Sequence, residues 1–574
     1  MNIRANSTGS VCENSDKNSD KRFGENSDKN SDKNSYENIV KNVAKNMNPQ
    51  CAAFDHNKTV SSLGRVHFIG IGGSGMSVLA QMLHEDGVEV TGCDREENDH
   101  TKHLRNLGMK IYIGQSPSHI HESDVVVYSS AIKPTNSEIV EAFNEGVQIV
   151  HRSDILSLLL NDKRGVTVAG AHGKTTTSSL ISHILSSKGL GDLADPSYAI
   201  GGSLQTVNGA PADGGHAGSG SIMVAEADES DGSFEKYHPY IAVVTNVEAD
   251  HLDHYGNERN YRKAFVEHLC HAEGHIVICA DDEGARSVLE ELPDSSLSKT
   301  IAYGLAENWH NKVSKRVLEN VSFVSIEQER EQAGSGREVF SLILPCNLSK
   351  LCAYSNNDEA LENCAVSNSD SYDKTSVFVL QVSLMIPGLH NARNATAAII
   401  SAILLGMDPH LAAQGASDFR GASRRFDIRG CVNGVTVVDD YAHHPTEIEA
   451  LLRAARRRYP DSNIRVLFQP HLFSRTRCFA HEFAHALSLA DDVIVTGIFP
   501  AREKQEDFPD IHAETIVRVA REDGLKTSMQ AVEDMFEAAK ILSARAQAGD
   551  VLFTVGAGSI TNMTSVILKS LENR

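Results

Sequence analysis

The sequence predicts an α/β chain of three domains, on three observations. Apolar strand-like runs recur along most of its 574 residues, and helix-patterned segments separate many of them, as in βαβ units, which build parallel sheets with right-handed crossovers. Two of the runs end in glycine-rich loops, Gly70-Ile71-Gly72-Gly73-Ser74-Gly75 and Gly170-Ala171-His172-Gly173-Lys174-Thr175-Thr176. The length exceeds what a single core supports and corresponds to about three or four domains.

The segments follow in order. Residues 1–60 are rich in Asn, Ser, Asp and Lys, and Glu13–Lys21 recurs unchanged as Glu25–Lys33. Such a composition buries too little apolar surface to offset chain entropy, so a disordered low-complexity tail is expected. Residues 61–163 read strand, glycine turn, helix: Val66–Ile69, the first loop, Met76–His84, Val88–Thr91, then a further strand at Asp124–Tyr128. A second block over 164–417 carries strands at Val166–Ala169, Ile222–Ala225 and Ile241–Thr245, each followed by polar residues. Open α/β sheets place their sites at that strand end. Runs at Val321–Ile326, Val339–Leu344 and Val377–Leu384 predict an antiparallel extension, interrupted by a flexible insertion at about 346–375. The third block, 418–574, repeats the pattern with Val435–Val438, Ile464–Phe468, Val493–Thr496 and Val551–Val555. The outer blocks are therefore Rossmann-like and the central one is of P-loop type.

Composition narrows the function. A formal charge of -22, from 54 basic and 76 acidic side chains, disfavours a nucleic-acid partner or an anionic membrane. The ten cysteines are scattered with no Cys-x-x-Cys pair, which argues against a zinc ribbon, a redox motif or a disulfide scaffold and fits a reducing cytoplasm. No apolar leader is recognisable, and the longest apolar span, Ala395–Met407, is too short to cross a bilayer. A soluble cytoplasmic protein is expected, with oligomeric state left open.

The two loops differ in chemistry. The second is shorter than a full Gly-x4-Gly-Lys loop, since Val168 stands where the first glycine belongs. Its backbone N–H groups at a helix start, with Lys174 and the hydroxyls of Thr175 and Thr176, still suit a nucleoside triphosphate with Mg²⁺. Glu226 opens the acidic cluster Glu226-Ala-Asp-Glu-Ser-Asp231, and His251 follows the next strand. Lys174, Glu226 and His251 are thus expected to converge at one sheet edge. The first loop, with Gly70, Gly72, Gly73, Ser74 and Gly75 and with Asp94 beyond it as a ribose ligand, matches a dinucleotide fingerprint. By itself it fits NAD or FAD and any nucleoside diphosphate equally. An NAD-dependent oxidoreductase is the rival reading, but it leaves Lys174 and Glu226 without a role; a non-catalytic nucleotide-binding regulator is a third.

Further segments extend the pattern: Ser129-Ser-Ala-Ile132, Thr245-Asn-Val-Glu-Ala-Asp-His251, Pro387-Gly-Leu-His-Asn-Ala-Arg-Asn394, Arg424-Arg-Phe426, Asp439-Asp-Tyr-Ala-His-His-Pro-Thr446 and Phe468-Gln-Pro-His471. With the two loops and the acidic cluster, these resemble the Mur ligase family of peptidoglycan synthesis, in family order from about residue 64 to the C-terminus. The resemblance is to the alanine-adding branch. It implies an ATP-dependent ligase joining L-alanine to the lactyl carboxylate of UDP-N-acetylmuramate through an acyl phosphate. A branch that adds a preformed peptide is the nearest alternative within the family.

The family resemblance also implies roles. Gly70–Gly75, Asp94, Ser129 and Ser130 would bind the UDP-sugar. Gly170 to Thr176, His390, Asn391, Asn394, Arg425 and Asp440 would serve ATP, and Thr175, Glu226 and His251 would hold Mg²⁺. Lys174, His251 and Arg425 are the expected catalytic residues. His443, His444, His471 and Arg475 would lie on the amino-acid side. Leu472 and Ser559 depart from the family pattern, which expects arginine and aspartate there.

Overall fold

The computed structural model describes residues 28–574 apart from 56, 203, 206–210, 213, 333–335, 346–347, 349–376 and 502. Three main sheets carry the chain. The first contains β1 (Val66–Ile69), β2 (Val90–Asp94), β3 (Lys110–Ile113), β4 (Val125–Tyr128) and β5 (Gln148–His151), all parallel, in the order β3-β2-β1-β4-β5. The order reverses direction beside β1, the crevice where such sheets bind ligands.

The second sheet contains β6 (Arg164–Ala169), β7 (Ser197–Ala199), β10 (Gly215–His216), β11 (Ile222–Glu226), β12 (Ile241–Val244), β13 (His275–Cys279), β14 (Thr300–Leu305), β15 (Ser322–Gln332), β16 (Arg337–Pro345) and β17 (Val377–Leu384). Its order is β10-β7-β11-β6-β12-β13-β14-β15-β16-β17. Strands β7 and β11 to β15 run parallel with β6, whereas β15, β16 and β17 pair antiparallel. The expected antiparallel extension is therefore a continuation of the central sheet. β8 (Leu204–Gln205) and β9 (Pro211–Ala212) form a separate antiparallel pair.

Alternation sets the two faces of this sheet. Val166 and Val168 of β6, Ile241 and Val243 of β12, and Val277 of β13 pack with the helices Lys174–Lys188 and Leu389–Leu404. Ala242, Val244, Ile276 and Ile278 point to the other core, which is shared with the first sheet. Each strand is thus buried on both sides, which is why its sequence reads as a continuous apolar run.

The third sheet joins β18 (Asp427–Val432), β19 (Val435–Asp440), β20 (Ile464–Phe468), β21 (Asp492–Val495), β22 (Ser528–Ala531) and β23 (Val551–Val555) in the order β18-β19-β23-β20-β21-β22. Only β18 is antiparallel. Among the described residues no helix is long and apolar enough to cross a membrane.

The N-terminal segment corrects one expectation. Residues 1–27 and the expected insertion at 346–375, apart from Leu348, lie outside the described residues. The rest of the expected disordered tail is not structureless: Asp28–Asn46 is a helix, and its Val43 is fully buried against the first sheet's core. Ile39, Val43 and Met47 recur every four residues and pack with Ile69, Tyr128 and Ile139. This apolar stripe is diluted in a polar composition, so composition alone concealed it.

Candidate active site

Three neighbouring strands of the central sheet, β11, β6 and β12, deliver Glu226, the second glycine loop and the segment Thr245–His251 to one carboxyl edge. The loop is held from beneath. Asn246 Oδ1 accepts from His172 N at 3.0 Å, and Thr245 Oγ1 donates to His172 O at 2.6 Å. Gly170 turns with φ +134°, and Gly173 caps the helix Lys174–Lys188 with φ +83°. A Cβ at Gly173 would lie 2.6 Å from Asn394 Oδ1, so glycine is needed there for both conformation and space.

Lys174 donates to Gly170 O at 2.5 Å and sits 3.0 Å from both oxygens of Glu229. Burial opposes its charge, but Glu229 and Asp228 outweigh it and raise its pKa. Burial raises Glu229 against the pull of Lys174, and the charge of His251 bears on the same carboxylate. Burial likewise raises Glu226, which accepts from Thr175 and from Gly201 N. His251 takes a left-handed backbone, φ +52°, with its ring beside Asp250 at 3.8 Å.

The first loop faces this edge from the other side. Its Gly72 N donates to Asp94 Oδ2 at 2.8 Å, so Asp94 braces the loop itself. Ser129 follows β4, where its carbonyl accepts from Ile132 N. Ser130 Oγ donates to Asp231 Oδ2 at 2.5 Å, across to the acidic cluster of the central domain. Arg152, not singled out from sequence, lies against Gly75 and donates to Asp228 Oδ2 at 2.6 Å. The two glycine loops thus flank the acidic cluster.

The third sheet closes the other flank. Its carboxyl edge presents Asp440 at the end of β19, His443 and His444 after it, and His471 and Arg475 after β20. Between it and the central domain lies a cavity of about 270 Å³, lined by His172, Gly173 and Thr176 of the loop, His390, Asn391 and Asn394 of the helix Leu389–Leu404, and Arg425 and Asp440. Burial lowers His390 to about 4, so its ring is neutral at pH 7. Asp440, raised to about 6 by burial, accepts from Phe426 N and Ala442 N; it fixes the Arg425 turn rather than pointing free into the cavity. Arg425 lies over Tyr441 at 5.1 Å.

Opposite this cavity the histidines gather. His443 and His471 rings are 5.7 Å apart, and His444 lies 5.0 Å from His172. Arg475 binds Asp250 through Nη2 at 3.0 and 3.2 Å, and Asp250 is lowered to about 2 because His251 and Arg475 outweigh its burial. All the expected residues of the second and third blocks therefore stand around one interdomain cleft. Sequence reasoning missed Glu229, Glu248, Asp250 and Glu447, because their partners come from other segments or domains.

Comparison with known proteins places this arrangement. Profiles described as Mur ligase family, catalytic domain, Mur ligase middle domain, and Mur ligase, glutamate ligase domain match residues 65–164, 168–336 and 424–558. The chain is 55% identical over 529 residues to the UDP-N-acetylmuramate--L-alanine ligase of Bifidobacterium adolescentis, covering 92% of this chain and 96% of that one. It is 40% identical over 516 residues to the ligase of the same name from Paenarthrobacter aurescens, covering 89% and 98%. The crystal structure of the UDP-N-acetylmuramate-alanine ligase of Thermotoga maritima aligns with a TM-score of 0.65 at 27% identity, over 89% of this chain and 99% of that chain. The chain belongs to the Mur ligase family.

Proposed function

We propose that this protein joins L-alanine to the lactyl carboxylate of UDP-N-acetylmuramate with conversion of ATP to ADP and phosphate, a step of peptidoglycan precursor synthesis. The observation that carries the reading is the shared cleft: the Lys174 loop and the His443–Arg475 cluster face each other across two sheet edges, as a reaction between a phosphorylated acid and an amine requires. High identity to relatives bearing that name, over nearly their whole length, supports it.

In this reading residues 61–163 hold the UDP-sugar on Gly70–Gly75, Ser129 and Ser130, with Asp94 bracing the loop. Residues 164–417 hold ATP, and 418–574 close over it. Thr175 and Glu226 offer the hard oxygen donors that Mg²⁺ takes, and Glu226 stands half-buried beside Thr175 at the end of β11; His251, a nitrogen donor, suits the metal's water shell better than the metal. When bound, the cation would neutralise charge developing on the phosphates.

A lactyl carboxylate oxygen attacks the γ-phosphorus, the bond to the ADP oxygen breaks, and an acyl phosphate forms. Lys174 and Arg425 stabilise the charge on the transferring phosphoryl oxygens. The alanine amine then attacks the acyl carbon, the C–O bond to phosphate breaks, and the amine loses a proton as the amide forms. Arg475, His443, His444 and His471 orient the amino acid. His390, neutral at pH 7, with the buried Asn391 and Asn394 lines the nucleotide pocket.

Phosphate release from ATP, measured with UDP-N-acetylmuramate and each of alanine, glycine, serine and a tripeptide, tests the reading. It expects release that depends on the UDP-sugar and is greatest with L-alanine. Release indifferent to the UDP-sugar would remove the ligase reading, and preference for the tripeptide would reassign the acceptor.

A further inference from the structure

We propose that Glu447 is a positioning residue for this reaction, a carboxylate that ties the nucleotide loop to the amino-acid loop so that domain closure and alignment of Arg425 are one event. The inference rests on the functional reading above.

Glu447 stands in the first turn of the helix Pro445–Arg458. One oxygen does ordinary capping: Oε2 accepts from His443 N at 2.9 Å and His444 N at 3.2 Å, and lies 3.1 Å from His443 Nδ1. A capping glutamate needs nothing more. The other oxygen turns inward, 3.3 Å from His172 Nδ1 across the domain boundary and 3.7 Å from Arg425 Nη1 of its own domain. The side chain is 10% exposed and lines the nucleotide cavity. Burial works against its charge, yet His443 and His172 outweigh it and hold the carboxyl well below the usual range.

The contact is one side of a ring. His172 Nε2 lies 3.1 Å from Glu248 Oε2, and Glu248 Oε1 accepts from Thr446 Oγ1 at 2.7 Å. Thr446 and Glu447 are consecutive, so the two domains are stitched through Thr446, Glu248, His172 and Glu447. His172 directly precedes Gly173 and Lys174, and therefore moves with the phosphate loop. Any displacement of that loop is transmitted to the helix carrying Glu447, and through it to Arg425 and His443. Glu447 touches none of the proposed reacting atoms, which makes its role one of placement.

Glu447→Gln retains the size and the capping acceptor and removes the charge. It is expected to lower kcat/KM for ATP and for L-alanine by about tenfold or more, the scale of a coupled charge contact. The Kd for the UDP-sugar, bound by the first domain, stays at its wild-type value. A merely structural defect would instead reduce the active fraction, lowering kcat with both KM values unchanged. His172→Gln should behave alike, and the double variant should lose no more than the worse single one. Glu449→Gln, on the exposed face of the same helix where it pairs with Arg453, serves as the control with wild-type rates.

Wild-type kcat and KM in Glu447→Gln, or losses that multiply independently in the double variant, would overturn the proposal. Should Glu447→Gln not fold, His172→Gln decides alone, since it leaves the cap intact: full activity there overturns the proposal. A wild-type enzyme without alanine-dependent phosphate release would instead contradict the functional reading.

Discussion

Replacing Lys174 separates its proposed electrostatic role in catalysis from its role in the fold. Its ammonium lies 3.0 Å from both Glu229 oxygens, and the Glu229 side chain is 2% exposed. In Lys174→Met the buried carboxylate would lose its ion-pair partner, and would take up a proton instead. Protonating a glutamate with an unfolded pKa of about 4.3 requires about 3.7 kcal/mol at pH 7 and only about 1 kcal/mol at pH 5. The penalty at pH 7 falls within the range of about 3–5 kcal/mol for breaking a buried ion pair. Since the variant's Glu229 has a raised folded pKa, its deficit grows as pH rises above the unfolded value. Scanning calorimetry should show the central-domain midpoint lowered by about 7–15 °C at pH 7 and by a few degrees at pH 5. Lys174→Met/Glu229→Gln should regain most of that stability and none of the activity, with turnover at least ~10²-fold below wild type. Near-normal turnover in either variant, or a double variant no more stable than the single one, would refute the reasoning.

Three further outcomes are expected. Burial opposes the charge of His172, but Glu447 and Glu248 hold its pKa at about 9; its contribution to closure is therefore full below about pH 6.5, the unperturbed histidine value, and is lost as pH rises through 9. Small-angle scattering should show expansion over that window and none in His172→Gln. Gly173→Ala, at φ +83° and 2.6 Å from Asn394 Oδ1, should abolish ATP binding by calorimetry while UDP-sugar binding persists, because the loop must shift and a left-handed alanine adds about 1–2 kcal/mol of strain. Arg475→Ala leaves Asp250 without the Nη2 donor that its two oxygens share and should raise the KM for L-alanine by about tenfold or more, on the scale of a lost charge-assisted hydrogen bond, with the Kd for the UDP-sugar unchanged.

Much of the fold was legible because buried parallel strands write themselves as apolar runs, and because glycine loops with polar residues mark their carboxyl ends. Glu226, Lys174 and His251 could be assigned to one edge from strand succession alone. Asp94 was read as a ribose ligand; in the structure its carboxylate braces Gly72 N, a local contact that a fingerprint does not reveal. The Asp28–Asn46 helix escaped notice because three apolar residues in a polar segment are invisible to composition and visible only to spacing. Glu447 and Glu248 were not legible as site residues. Each reads as a helix cap or a loop acid, and its second oxygen acquires a partner only when β19 of one domain is brought against β12 of another.

The central claim is that a carboxylate is activated by phosphorylation in a cleft assembled from these domains. Wild-type protein supplied with ATP, L-alanine and UDP-N-acetylmuramate labelled with ¹⁸O in its lactyl carboxylate tests it directly. One labelled oxygen is expected in each phosphate released, because the acyl C–O bond breaks, together with an alanyl amide of the UDP-sugar. Phosphate free of label from a reaction that forms the amide would contradict it.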